Sequence, residues 1–109
     1  MLESIKKLLA AVWELIKKII VAIISFIGHI VSFFRDPSRL GKLQANHNRI
    51  AVAIKEKLES GDYQVVNCLY DKQTSELVTP EKDSEVITSA NLDEETKKQF
   101  NGKEMVVLR

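Results

Sequence analysis

A single cysteine, two prolines and four glycines are all that the 109 residues hold of the types that cross-link, kink or loosen a chain. The lone Cys68 excludes an intrachain disulfide framework and fits a reducing compartment. It stands in an apolar run, where a thiol acts as a small buried hydrophobe. Also missing are a glycine-rich phosphate loop, a Cys-x-x-Cys pair, a His-Glu-x-x-His helix and a Gly-x-Ser-x-Gly elbow. The chain therefore reads as a non-enzyme, with no catalytic, metal-binding or cofactor-binding residue and no small-molecule substrate. Cys68 and His47 are the one dyad worth naming, but nothing pairs them, and His47 reads as a half-buried residue on an apolar stripe.

Charge of one sign is scarce too. The net charge is +1, split into +4 over residues 1 to 42 and −3 over 43 to 109. The acidic back half lacks a clustered basic face with interleaved aromatics, so nucleic acid is not an expected partner. No small-x-small cleavage site precedes "RDPS", and the apolar front segment is expected to be retained.

What the chain does have is "KKIIVAIISFIGHIVSFFRD", residues 17 to 36. Residues 2 to 34 contain no proline and one glycine, Gly28, which predicts an unbroken helix of about thirty residues. On a helical wheel a narrow small-or-polar stripe runs its length, through Ser4, Lys7, Ala11, Glu14, Lys18, Ala22, Ser25, His29, Ser32 and Asp36. The apolar arc around it is wider than one packed neighbour needs.

That width points to lipid. Glu14, Lys17 and Lys18 would each cost about 2.5 to 3.5 kcal/mol at a bilayer centre, so a span is confined to Ile19 to Phe34, which is short. The front half suits an interfacial helix anchored by Trp13. The residues expected to touch lipid are Trp13, Ile19, Ile20, Ile23, Ile24, Phe26, Ile27, Ile30, Phe33 and Phe34, flanked by Lys17, Lys18 and Arg35. Ala22, Ser25, Gly28, His29 and Ser32 are the types that let helices approach closely, and form the expected self-association stripe. His29 is the only titratable group in the span.

Pro37 ends the helix, and Asp36 can cap a second one. Leu40, Leu43, His47, Ile50, Ile54 and Leu58 predict that this second helix runs to about Glu59. "YQVVNCLY" reads as a central strand, "DKQTS" as a turn, Glu76 to Thr79 as its hairpin partner and "SEVITSA" as a third strand. "NLDEETKKQFNG" reads as a helix opened by an Asn91–Glu94 capping pair and closed by Gly102, and "KEMVVLR" as a last strand.

The expected fold is α+β, ordered α-α-β-β-β-α-β: a membrane-associating or oligomerising helix over 1 to 35, a corner over 36 to 42, and a small mixed-sheet domain over 43 to 109. The expected function is that of a membrane-associated, self-associating protein. Its partners would be the bilayer, other copies of itself and a protein docked on the 43 to 109 domain, which stays in the cytoplasm; one version permeabilises the bilayer. The alternative is a soluble homo-oligomeric scaffold with the long helices buried between subunits.

Overall fold

Six of the nine residues from Ile16 to Ile24 are β-branched, and that density decides the front of the chain. The computed structural model describes residues 1 to 108. In it α1 (Leu2–Ala11) stops at Val12, a short 3-10 turn covers Trp13–Leu15, and the chain becomes extended as β1 (Lys17–Ile20) and β2 (Ile23–Ile24). A π-helical turn (Phe26–Val31) and α2 (Ser32–Phe34) follow. The unbroken helix expected over 2 to 34 is thus replaced by two helical pieces around two strands. Among the described residues no helix is long and apolar enough to cross a membrane.

α3 (Pro37–Ala45) starts as its sequence implies: the Asp36 carboxylate accepts from the amides of Ser38 and Arg39, with Pro37 in the first turn. It ends fourteen residues before Glu59, because Arg49–Lys57 is β3. Ile50 and Ile54, four apart, share a face in a strand as they do in a helix, while the alternating Ala51 and Ala53 pack the other face. His47 falls in the exposed connection, off any stripe.

From there the order is β4 (Tyr63–Asp71), β5 (Glu76–Leu77), α4 (Pro80–Asp83), β6 (Glu85–Ser89), β7 (Asn91–Leu92), α5 (Glu94–Phe100) and β8 (Met105–Val107). The fold is α+β. The main sheet runs β1-β6-β4-β3-β8, with β5 paired to the end of β4. β1 is parallel to β6, with Lys17 opposite Glu85 and Ile20 opposite Thr88; the other pairings in this sheet are antiparallel. β2 and β7 form a separate parallel pair.

Each face of the sheet is covered. On one, Ile5 and Leu9 of α1, with Ile16, pack on Ile50, Val52, Ile54, Val66, Cys68, Tyr70 and Val86. On the other, Ile24, Phe26, Ile30, Phe33 and Phe34 join Leu43, Leu92 and Phe100 over Ala51, Ala53, Val65, Leu69 and Ile87. The apolar run is therefore core material on both sides of one sheet.

Candidate functional site

Five of the ten residues expected to touch lipid, Ile24, Phe26, Ile30, Phe33 and Phe34, are less than 9% exposed. Their own sheet covers them, so the apolar surface that called for lipid is already shielded. Trp13 and Ile19 are half-buried. Only Ile20, Ile23 and Ile27 face water, at 86%, 50% and 60% exposure. With Leu15 they make four of the six large apolar side chains exposed among the described residues. All four fall within residues 15 to 27, the stretch that contains the strand at the end of the sheet.

That strand is β1. Among the described residues it pairs with β6 alone, so its other edge carries unpaired backbone groups, a template for a further strand. Edge strands are commonly guarded by lysines. Here the Lys18 ammonium turns back, donating to the carbonyls of Trp13 at 2.5 Å and Ile16 at 3.0 Å, and lies 5.3 Å from the Trp13 ring centre. Lys17 is exposed, and Arg35 is exposed beyond α2.

The expected self-association stripe is also local structure. The Ser25 hydroxyl accepts from the Gly28 amide, the Ser25 amide donates to Nδ1 of His29, and the Ser32 hydroxyl donates to the Gly28 carbonyl. Asn67 donates through Nδ2 to the His29 carbonyl at 3.2 Å. These bonds cap and widen the π-helical turn, which a helical wheel reads as one polar face. Ala22 and Gly28 are exposed, and the Ala22 carbonyl accepts from the Ser89 hydroxyl.

Cys68 is fully buried under α1, and burial pushes its thiol up to about 12, far from a nucleophile's range. His47 is exposed on its loop, and no hydrogen bond joins the two. Among the described residues no group of three or more His, Cys, Asp or Glu could hold a metal ion. Asp83, 3% exposed, faces Lys42 at 2.5 Å and Arg39 at 3.4 Å, and the Arg39 guanidinium lies 3.7 Å from the Phe33 ring centre. This cluster clamps α3 and α4 against α2. Sequence reasoning missed it because nothing local ties residue 42 to residue 83.

Asp93, not Asn91, caps α5, accepting from the Thr96 amide at 2.8 Å, and it accepts from the Phe26 amide as well. Asn91 is instead part of β7. No family model, curated protein or solved structure matches this chain.

Proposed function

We propose that this chain is a non-enzymatic interaction module that associates with further copies of itself at the free edge of β1. The observation that carries the reading is the coincidence of that one-sided strand with the exposed Leu15, Ile20, Ile23 and Ile27. Two copies related by a two-fold axis would pair their β1 edges antiparallel and cover the same apolar residues on each side, a closed and self-complementary contact. Exposed apolar side chains gathered at one place mark such contacts.

Sedimentation velocity over a concentration series tests it. The wild-type chain is expected to shift from monomer to dimer, and Ile20→Lys to stay monomeric with unchanged stability, because Ile20 makes little contact with the rest of the fold. A wild-type chain that remains monomeric throughout, or a lysine variant that dimerises equally, rejects it.

A second reading keeps the bilayer. The same exposed isoleucines, with Lys17 and Arg35 nearby, suit shallow docking on an anionic membrane surface, the rest of the domain staying in the cytoplasm. Flotation with vesicles of phosphatidylcholine and phosphatidylglycerol separates the two. Binding lost in the Ile23→Asp, Ile27→Asp variant supports docking, and a wild-type chain left at the bottom of the gradient dismisses it. Dye leakage from the same vesicles tests the permeabilising version.

A further inference from the structure

The free edge of β1 is short, and its backbone shows which groups are open. Val21, one residue past the strand, donates its amide to the Thr88 carbonyl at 3.0 Å. Alternate residues of a strand turn their backbone groups to the same side, so Lys17 and Ile19 also face β6 while Lys18 and Ile20 face outward. The outward groups at either end are already spent. The Ile16 amide donates to the Trp13 carbonyl at 3.2 Å, and the Ile16 carbonyl accepts from the Lys18 ammonium at 3.0 Å. At the other end the Ala22 carbonyl accepts from the Ser89 hydroxyl at 2.7 Å. Among the described residues of this edge, two amides and two carbonyls remain, those of Lys18 and Ile20, disposed evenly about Ile19.

That even spacing selects one register. We infer that a second copy of this chain pairs its β1 with the first antiparallel, with the two Ile19 residues on the two-fold axis and Lys18 of each copy opposite Ile20 of the other. Each Lys18 and Ile20 pair exchanges two N–H···O bonds, so all the open groups of both copies are used. Centring the axis on Ile20 keeps one such pair and sets Lys18 against Ala22, whose carbonyl is taken. Centring it on Lys18 puts two like charges opposite each other and aims Ile20 at the filled groups of Ile16.

The side chains agree with this register. Lys18 stands level with Val86, which packs beneath α1, and Ile20 projects from the same face. Each Ile20, 86% exposed, then lies beside the aliphatic stem of the other copy's Lys18, whose ammonium is drawn back by the carbonyls of Trp13 and Ile16. The inference rests on self-association at β1 and gives that contact its geometry, one sheet continuous through both copies. So short a contact belongs with weak, transient interfaces, and it forms only in concentrated protein.

Amide hydrogen exchange of the wild-type chain, followed by NMR at low and high protein concentration, reads the register without any substitution. At concentrations where sedimentation shows a dimer, the amides of both Lys18 and Ile20 are expected to exchange at least tenfold more slowly than in the monomer, with Ala22 unchanged. Cysteine variants give a second readout. Ile19→Cys is expected to form an intermolecular disulfide under mild oxidation, because its two Cβ atoms face each other at about 4.5 Å, whereas Ile20→Cys, placed diagonally at about 7 to 8 Å, is not. A dimer that protects one or neither of the two amides, or that cross-links through Ile20→Cys and not Ile19→Cys, overturns the register and leaves self-association standing. A wild-type chain that stays monomeric throughout removes both.

Discussion

The amide of Phe26 lies 3.3 Å from both carboxylate oxygens of Asp93. Around this link, Val21 donates to the Thr88 carbonyl, Ser89 to the Ala22 carbonyl and Asp93 to the Ile24 carbonyl. The middle of the apolar run is thus stitched to the last third of the chain, and its side chains follow it into the core.

Asp93 caps two elements at once, so Asp93→Asn should cost about 2 kcal/mol, one N-cap plus one charge-assisted bond, in urea denaturation at neutral pH. Burial alone would raise its carboxyl, but hydrogen bonds from the Thr96 hydroxyl and amide and the Phe26 amide outweigh that and hold it below the usual value. A depressed folded pKa means the ionised group contributes stability in full above the unfolded value, about 3.9, and loses it as pH falls through the folded one. Stability measured from about pH 5 down to pH 2 should therefore fall less steeply in the asparagine variant than in the wild type. Parallel curves would contradict this role.

Asp83→Ala removes the carboxylate that, among the described residues, alone pairs with Lys42 and Arg39, leaving two partly buried cations without it. Their side chains are 29% and 19% exposed, and water that reaches them limits the loss to about 2 kcal/mol. Chemical denaturation reads it directly. A change below a few tenths would show that the clamp is only a surface pair.

Thr79 sits at φ 41° in the left-handed region, which a β-branched residue rarely adopts and asparagine tolerates. Its hydroxyl makes one long contact, 3.4 Å from Lys42 Nζ. Thr79→Asn is expected to raise stability by about 0.5 to 1 kcal/mol, seen as a higher melting temperature. A lower one would mean that the hydroxyl matters more than the strain.

Cys68 should be silent in the folded protein. A thiol reagent at about pH 8 is expected to react no faster than the chain unfolds, because the group is both covered and protonated. Labelling complete within mixing time would place it at the surface.

How much of this was legible follows from how local each signal is. β4 showed as a run apolar on both faces, its hairpin turn as Asp71, whose carboxylate bonds the amides of Gln73 and Thr74, and the end of α5 as Gly102 at φ 77°. β6 and β8 fell where period-2 patterns put them. The front segment misled because its small and polar residues recur at helical spacing, while the β-branched density of Ile16 to Ile24 carries the opposite preference. What settles it is parallel pairing with Glu85 to Thr88, a partner far along the chain that no local pattern announces. Ile50 and Ile54 misled for a simpler reason, since a spacing of four fits both periods. The exposed Ile20, Ile23 and Ile27 lay within the residues expected to meet lipid, but only the fold separates these three from the five it buries.

The backbone carbon shifts of Lys17 to Ile20 in the full-length chain, with proton contacts between Ile19 and Ile87, test the central claim most directly. Strand-type shifts and a clear cross-strand contact between those two isoleucines are the predicted result. Helical shifts running unbroken from Leu2 to Phe34, with Ile87 silent, would contradict it and return the apolar run to lipid or to neighbouring copies.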